Sequence, residues 1–383
     1  MSTHPARRRQ LRTWAPAMKQ EHLQAVATDS AMGPELLDLA SNDYLSLCRH
    51  PSLIAAAEAQ LRCSGVGAAG SRLVSGSRPV HDRLESELAQ WLGRERVLLF
   101  PSGFQANLAA VKALANRHTT VAVDRLIHHS LLVGVQASGA RLRRFAHNDL
   151  ESLERLLLHS RRERPETPLL VITESLFSME GTSPQMHRLA TLCERHGASL
   201  LLDEAHALGV LGEGGRGLGF GESRVTMLSG TFGKAFGSGG AFLACDGELG
   251  EHLLQNSGAF RYTTALAPPL AAGALAALEL MRNNPDWGRT LVKRSNIWRE
   301  RLVEAGWVRP TGEGPILPLL VGEDQRCLNL QHHLEKSGLI TAAIRPPTVP
   351  EGSARLRLVL HRLLPDETLE TLVRALSDGR VPR

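Results

Sequence analysis

Two apolar stretches in the middle of the chain decide its fold class: PLLVITES, which begins at Pro168, and SLLLDEAH, which begins at Ser199. Both are nearly continuous in Leu, Val and Ile rather than alternating, as expected of parallel strands that are covered on both faces of a sheet. A helical pattern lies between them, so together they predict a β–α–β unit.

Further strand candidates repeat this pattern on both sides. VLLF ends at Phe100, TVAVD ends at Asp124, VTMLSG begins at Val225 and GGAFLAC ends at Cys245. Amphipathic segments lie between them, for example PVHDRLESELAQWL from Pro79, whose apolar residues recur at helical spacing. The sequence therefore predicts an α/β fold whose mainly parallel central sheet is flanked by helices.

The pattern changes near residue 265. ALAPPLAAGALAALELM predicts a long buried helix that opens near Pro269. Beyond it, ILPLLV from Ile316, LITAAI from Leu339 and ARLRLVL from Ala354 alternate well enough to predict strands of a half-exposed antiparallel sheet. We therefore expect three segments: an N-terminal arm over residues 1–40, a large α/β domain over residues 41–275, and a small C-terminal α+β domain over residues 276–383.

The composition is that of an ordinary globular protein. Of the 383 residues, 43% are hydrophobic and 22% are charged, which excludes a disordered, collagen-like or coiled-coil chain. The formal net charge is only +5, and the basic cluster Arg7, Arg8, Arg9 and Arg12 has no interleaved aromatic residues. We therefore expect no nucleic-acid partner, while the small positive excess suits an anionic substrate or cofactor.

The five cysteines are scattered and form no C-x-x-C pair, which argues against a disulfide framework and against a zinc site. The histidine pairs at 128–129 and 332–333 lack the spacing and the acidic neighbours of a metal site, so no metal is expected. No signal peptide is recognisable, and no apolar stretch is long enough for a membrane helix. The sequence thus predicts a soluble cytoplasmic protein with no membrane partner.

The strongest chemical motif is SGTFGKAFGSGG, which begins at Ser229 and follows a predicted strand. It places Lys234 on a tight turn between Phe232 and Phe236, whose rings favour burial. A lysine in a partly desolvated pocket has a lowered pKa and becomes a nucleophilic amine, which Schiff-base chemistry requires. A phosphate-binding lysine is the alternative, but Leu228 stands where a Walker motif needs glycine.

The second motif is LLLDEAHALGVLGEGGRG, from Leu200. Asp203 falls at the carboxyl end of a predicted parallel strand, where such sheets bind ligands. An aspartate there can hold a proton on a pyridine nitrogen and keep the ring an electron sink, and His206 could donate to an oxygen on the same ring. A helix cap and a metal carboxylate are the alternatives for Asp203 alone. GEGGRG is a poor dinucleotide site, because no useful helix follows it.

A cofactor phosphate would need a cradle, and PSGFQANLAAVKAL offers one. Ser102, Gly103 and Phe104 open a predicted helix whose free N–H groups and dipole favour an anion. Thr231, three residues before Lys234, offers a hydroxyl to the same group. A simple N-cap role for Ser102 and core packing for Phe104 are the alternatives.

Two further residues complete the candidate site. His128, in DRLIHHS, lies just past a predicted strand and is placed to stack on a flat ring, although its neighbour His129 could compete for this role. Arg345 precedes two prolines that fix the backbone, which suits an arginine that binds a carboxylate through two nitrogens. An exposed arginine on a rigid turn is the alternative.

Together these motifs resemble the α-oxoamine synthases, which use pyridoxal 5'-phosphate (PLP) to condense an amino acid with an acyl thioester. The resemblance runs from SNDYLSL, at Ser41, to the C-terminal strands. It implies the aspartate-aminotransferase-like fold of PLP-dependent transferases and a homodimer. The strings RRFAHND, from Arg143, and IRPPTVP followed by ARLRL favour the member that uses L-alanine and a pimeloyl thioester, on coenzyme A or acyl-carrier protein, in biotin biosynthesis.

The resemblance implies a role for each matching position. The residues that would be catalytic are Lys234, His128, Asp203 and His206. The residues that would bind the cofactor are Gly103, Phe104, His128, Ser178, Asp203, His206, Thr231, Lys234 and, across the dimer interface, Thr263. The residues that would bind the substrates are Asn42, His128 and Arg345, with Thr348 near the acyl group and Arg12 as the family's N-terminal arginine.

The chain departs from the family pattern at three positions. Ala207 and Leu208 replace the small residues that usually follow DEAH, and Ser46 stands where glycine is common. These changes could reshape the acyl channel without touching the chemistry. The alternative functions are a sister α-oxoamine synthase that uses glycine or serine, a PLP-binding protein that has lost catalysis, and a purely structural protein.

Overall fold

The computed structural model describes residues 5–26 and 31–379. The chain forms two compact units. The first contains the described residues of Met1–Ser46, Ser178–Thr182 and Arg289–Arg383, and the second contains Leu47–Phe177 and Ser183–Gly288. The first unit thus combines residues from both ends of the chain. The division into residues 1–40, 41–275 and 276–383 stays a prediction.

The strands and helices of the two units have the following bounds. The strands are β1 (Thr13–Pro16), β2 (His22–Val26), β3 (Met32–Asp38), β4 (Arg96–Phe100), β5 (Thr120–Asp124), β6 (Arg141–Phe145), β7 (Leu169–Glu174), β8 (Ala198–Asp203), β9 (Met227–Thr231), β10 (Ala241–Cys245), β11 (Ile316–Gly322), β12 (Leu339–Ile340), β13 (Ala342–Ile344) and β14 (Ala354–Val359). The helices are α1 (Pro51–Ser64), α2 (Pro79–Leu92), α3 (Gly103–Leu114), α4 (His129–Ser138), α5 (Leu150–Glu163), α6 (Met186–Arg195), α7 (Gly247–Asn256), α8 (Gly258–Arg261), α9 (Pro268–Asn283), α10 (Trp287–Glu304), α11 (Asp324–Lys336) and α12 (Thr368–Asp378).

The second unit is built around a seven-stranded sheet with the order β4-β10-β9-β8-β7-β5-β6. Strand β10 runs antiparallel to both of its neighbours, and the other pairs are parallel. Every residue of β5 and β7 is buried, as expected of strands with both faces covered. The predicted mainly parallel sheet is confirmed. The sequence did not reveal β6, whose RLRRF run is only partly buried, because it is an edge strand.

Helices α3 and α4 carry polar side chains to the carboxyl edge of this sheet. Helix α3 begins shortly after β4 and α4 shortly after β5, so both start at that edge. Gly134 allows the two helices to pack closely, because a Cβ there would lie 2.9 Å from the Cβ of Val111. The segments that follow β8 and β9 begin at the same edge, which is where parallel sheets bind ligands.

The first unit contains two smaller sheets, with the orders β1-β2-β3-β12 and β11-β14-β13. The expectation that LITAAI forms one strand of an antiparallel sheet was wrong. Leu339 and Ile340 pair in parallel with β3, whereas Ala342–Ile344 pairs antiparallel with β14. The chain changes sheets at the buried Thr341, and alternation alone does not show which partner a strand will choose. Among the described helices of both units, none is long and apolar enough to span a membrane.

Candidate active site

Asp203 ends β8 and is almost fully buried, with 5% of its surface exposed. Its Oδ1 accepts a hydrogen bond of 2.9 Å from the backbone N–H of Ala205, and its Oδ2 accepts one of 2.8 Å from Nδ2 of Asn107. The residues after Asp203 form turns rather than a helix, so it is not a helix cap. Two donors hold the carboxylate in one orientation at the sheet edge.

Asn107, on α3, is the centre of a buried polar cluster that sequence reasoning missed. Its Nδ2 also donates to Oγ of Ser130 at 2.9 Å, and its Oδ1 accepts from Oγ of Ser229 at 2.5 Å. Ser130 Oγ in turn lies 2.7 Å from Nδ1 of His128. An asparagine on the apolar face of a predicted helix was the signal that could have revealed this cluster, because buried polar groups need partners.

His128 is the N-cap of α4, and its backbone N–H donates to Oε1 of the buried Glu174 at 2.5 Å. Loss of hydration lowers the pKa of His128. The negative charge of Asp203 opposes this shift, while Lys234 and His129 act in the lowering direction. His128, Asp203 and Lys234 therefore lie in one electrostatic neighbourhood, and the lowered pKa of His128 favours its neutral form.

Lys234 lies half-buried on the turn that follows β9. The flanking Phe232 and Phe236 are fully buried, as their apolar character predicted, and their ring centroids are 5.2 Å apart. The turn is closed where the N–H of Phe232 donates to the carbonyl of Gly240 at 2.9 Å. Packing of the two rings thus fixes the backbone that carries the lysine.

The start of α3 lies beside the end of β9, at the place where the phosphate cradle was predicted. A Cβ added to Gly103 would lie 3.8 Å from Oγ1 of Thr231, whose hydroxyl donates to the carbonyl of Gly240 at 3.0 Å and accepts from the N–H of Gly233 at 3.2 Å. Ser102 also acts as a helix cap, since its Oγ accepts from the N–H of Gln105 at 3.3 Å. Phe104 is 46% exposed and does not pack in the core.

The motif around His206 shows how the chain accommodates its departures from the family pattern. His206, Ala207 and Leu208 are all buried. Leu208 packs against β9, where a Cβ at Gly230 would come within 2.7 Å of its side chain. The larger leucine is thus accepted next to a glycine that leaves room for it.

Glu204, between Asp203 and the histidine, is fully buried and holds the following loop. Its carboxylate accepts from the N–H of Gly219 at 2.6 Å and of Leu218 at 3.3 Å. Burial raises the pKa of Glu204 to about 7, although these hydrogen bonds act against the rise.

Several predicted substrate residues lie in the first unit, as does Ser178. Arg357, which sequence reasoning missed, links two of these positions. Its Nε donates to the carbonyl of Ser178 at 2.6 Å, and its Nη2 donates to Oδ1 of Asn42 at 2.8 Å. Oδ1 of Asn42 is thus the acceptor for Arg357, and the amide nitrogen of Asn42 can donate to another group.

Arg345 is 8% exposed, and one of its guanidinium nitrogens donates to the carbonyl of Ala6. Arg9 donates to the carbonyl of Arg345 at 3.2 Å and to Oγ1 of Thr348 at 3.4 Å. Arg12, which the sequence favoured as a substrate ligand, instead forms an ion pair with Glu335. In this unit the structure thus places Arg9, and not Arg12, beside the predicted substrate residues.

Two remaining positions complete the comparison with the sequence. Thr263 lies just after α8. The next residue, Thr264, forms an isolated β-bridge with Ser71, and all of these residues lie in the second unit. Ser46 has a φ of 54°, in the left-handed region that favours glycine. Its hydroxyl lies 3.0 Å from Nδ1 of the buried His361, a hydrogen bond that glycine could not make.

The family model for class I and class II aminotransferases matches residues 34–376. The chain belongs to this family. It is 43% identical over 344 residues to an 8-amino-7-oxononanoate synthase from Chromohalobacter salexigens, covering 89% of this chain and 88% of the relative. This similarity confirms the resemblance to the α-oxoamine synthases. It also agrees with the member of that family that the strings RRFAHND and IRPPTVP favoured.

Solved structures give the same result for the fold. A serine palmitoyltransferase from Sphingomonas wittichii matches with a TM-score of 0.90 and 27% identity, over 96% of this chain and 91% of the other. An 8-amino-7-oxononanoate synthase from Francisella tularensis matches with a TM-score of 0.76 and 27% identity, over 90% and 97%. The predicted aspartate-aminotransferase-like fold is confirmed.

Proposed function

We propose that this chain catalyses the decarboxylative condensation of L-alanine with a pimeloyl thioester, with PLP as cofactor. The products are 8-amino-7-oxononanoate, CO2 and a free thiol, and the reaction serves biotin biosynthesis. The observation that carries the proposal is the line of hydrogen bonds that joins Asp203 to His128 through Asn107 and Ser130, with the charge of Lys234 also acting on His128. The acid, the amine and the imidazole that this chemistry needs are therefore close together at the carboxyl edge of the sheet.

The described residues suit PLP. Gly103 and Thr231, which are neighbours where α3 starts and β9 ends, would hold the phosphate, and the fixed carboxylate of Asp203 suits a protonated ring nitrogen. His128 would stack on the ring. The remaining proposed contacts to the cofactor are Phe104, Ser178, His206, Lys234 and Thr263. When bound, the cofactor supplies an aldehyde that combines with amines and a ring that accepts the electron pair released at the amino acid's Cα.

Lys234 and Asp203 have distinct proton-handling roles in this proposal. The amine of Lys234 takes the proton from Cα of alanine and later returns one to the same carbon. The carboxylate of Asp203 keeps a proton on the ring nitrogen. A new bond joins Cα of alanine to the acyl carbonyl carbon, the C–S bond breaks and releases the thiol, and the alanine carboxylate leaves as CO2.

Arg345 and Asn42 bind the alanine carboxylate and orient it for departure. A guanidinium can bind a carboxylate through two nitrogens, and the amide nitrogen of Asn42 is available as a donor because Arg357 occupies its oxygen. Thr348 lies near the acyl group. The contact of Arg9 with Thr348 makes Arg9, ahead of Arg12, the stronger candidate for the N-terminal substrate arginine.

The test is a condensation assay that offers L-alanine, glycine and L-serine in turn, with pimeloyl groups on coenzyme A and on acyl-carrier protein. The expected product has the mass of 8-amino-7-oxononanoate and forms only with alanine. A product that incorporates glycine or serine at a higher rate would instead identify a sister α-oxoamine synthase. A cofactor-loaded protein that forms no product with any pair would contradict catalysis.

The proposed enzyme is a cytoplasmic homodimer in which Thr263 contributes to the partner's cofactor site. Exposed large apolar side chains in the second unit support a dimer: Val66, Leu73, Val74, Phe104 and Tyr262. Tyr262 alone is 80% exposed. Sedimentation of the protein should give the mass of two chains, and Tyr262→Asp should shift it towards one chain.

A further inference from the structure

A continuous line of hydrogen bonds joins Asp203 to His128, buried as far as Ser130 and part-buried at His128. It runs from Oδ2 of Asp203 to Nδ2 of Asn107 at 2.8 Å, from there to Oγ of Ser130 at 2.9 Å, and on to Nδ1 of His128 at 2.7 Å. Asn107 is 4% exposed and Ser130 is fully buried, so water does not compete for the contacts between Asp203, Asn107 and Ser130.

The direction of each hydrogen bond follows from the chemistry of the groups. An ionised carboxylate only accepts, so the Asn107 group that faces Asp203 must be the amide nitrogen. The hydroxyl of Ser229 donates to Oδ1 of Asn107 at 2.5 Å and fixes the same orientation. The amide therefore has its second N–H left for Ser130, whose oxygen becomes an acceptor.

Ser130 then has its own hydroxyl proton to donate, and His128 Nδ1 is the neighbour that can accept it. The backbone N–H of Ser130 points to the same nitrogen, at 3.3 Å. With two donors directed at Nδ1, this nitrogen cannot carry a proton itself. Neutral imidazole has one N–H, so the proton of His128 is left on Nε2.

We infer that Asn107 is a positioning residue that acts through Ser130 to hold His128 as the Nε2–H tautomer. The ring then offers a hydrogen-bond donor to an oxygen of the substrates, a use that rests on the proposed function. The charged and titratable groups facing His128 are Asp203, Lys234, His129 and Glu174, whose carboxylate binds its backbone N–H. Their net effect together with burial lowers the pKa of His128, which favours the neutral ring.

The test is ¹⁵N NMR of the holoenzyme labelled at histidine, with His128 assigned by the signals that His128→Gln removes. In the wild type, long-range couplings should show that Nδ1 is unprotonated and Nε2 is protonated. In Ser130→Ala, a measurable population of the Nδ1–H tautomer should appear. Ser138→Ala removes a hydroxyl from the other end of α4 and should leave the His128 signals unchanged.

Kinetics separate positioning from a structural role. Ser130→Ala should lower kcat/KM about fivefold to tenfold, equivalent to the loss of one hydrogen bond. Asn107→Leu should increase the population of the Nδ1–H tautomer, as Ser130→Ala does. Ser130→Thr keeps the hydroxyl and should show the wild-type tautomer. If Asn107→Leu does not fold, Ser130→Ala still decides the question, since it removes one oxygen atom.

Two results would overturn the inference: an Nδ1–H tautomer in the wild type, or an unchanged His128 tautomer in Ser130→Ala. The tautomer is measured without an acyl donor, so its outcome does not depend on which reaction the enzyme catalyses. A tautomer shift in a protein that condenses no alanine would support the inference and contradict the proposed function.

Discussion

The two units hold their candidate site residues in different ways. In the second unit, Asp203 and His128 are connected by the buried side chains of Asn107 and Ser130. In the first unit, Arg345 contacts the carbonyl of Ala6, and the neighbouring Thr348 is touched by an exposed arginine.

This difference indicates a division of labour. A fully satisfied buried network is rigid, and removing one member leaves the others unpaired. Exposed contacts are individually weak, and the carbonyl of Ala6 is a single acceptor that a carboxylate binding Arg345 through two nitrogens could replace. The proposed cofactor residues are thus fixed before binding, while the proposed substrate residues can exchange their present partners for a carboxylate.

The largest effect is expected from Lys234→Ala. Turnover should fall about 10³-fold or more, because proton transfer at Cα loses its positioned base. The visible absorbance of the cofactor-loaded enzyme should change with it. Lys293→Ala, at an exposed lysine, is the matched control and should behave as the wild type. Turnover near the wild-type rate in Lys234→Ala would refute the assigned role.

The second prediction concerns Glu204 and the pH dependence of the unfolding free energy in the second unit. Its folded-state pKa of about 7 lies above the ordinary value of 4.5, so folding favours the protonated form. The stabilisation is complete below pH 4.5 and disappears as pH rises through 7, with a total of about 3 kcal/mol. Glu204→Gln should flatten the pH dependence of the unfolding free energy over this window. Glu248→Gln, at an exposed position, should keep the wild-type slope, and an unchanged slope in both variants would contradict the assignment.

Asp203→Asn should lower kcat about 100-fold, because a neutral amide cannot hold the proton on the cofactor ring. The amide also places N–H groups opposite the donor group of Asn107, which disturbs the network further. Single-turnover kinetics would measure the chemical step directly. Asp246→Asn changes the exposed cap of α7 and is the control. Equal rates for the two variants would show that Asp203 has no chemical role.

Arg345→Lys tests the binding of alanine by the first unit, whose contacts we expect to exchange with a ligand. The KM for L-alanine should rise about tenfold with a smaller change in kcat, since lysine binds a carboxylate as a point charge and not through two nitrogens. Arg374→Lys, on the exposed side of α12, provides the baseline. A loss confined to kcat would place Arg345 in the chemical step and not in alanine binding.

The smallest effect is expected from Arg7→Gln. Arg7 joins Asp324 at 2.7 Å and the exposed Glu351 in the first unit. Solvent screens such pairs, so Tm should fall by less than about 2 °C and kcat should not change. Calorimetry and the condensation assay would measure both. A large loss of stability would show that this unit is as tightly fixed as the second.

The sequence was sufficient for features that depend on local pattern. Continuous apolar runs located strands β5, β7 and β8, and the ends of two of those runs pointed to His128 and Asp203. The mainly parallel sheet and the family were confirmed. Roles assigned through the resemblance stay predictions.

Features that depend on which elements pack together were not accessible from the sequence. Asn107 became significant only when the close approach of α3 and α4 at Gly134 placed it beside Ser130. Arg357 looked like one polar residue of an alternating strand until its contacts with Ser178 and Asn42 were seen. A single polar residue does not reveal its partner until the packing is known.

The most direct measurement of the central claim is to identify the lysine that binds the cofactor. The PLP-loaded protein is reduced with borohydride, digested, and searched by mass spectrometry for the phosphopyridoxyl group. We predict a single modified peptide, with the group on Lys234. Modification of Lys19, Lys112, Lys293 or Lys336 in its place, or of no lysine, would contradict the proposal.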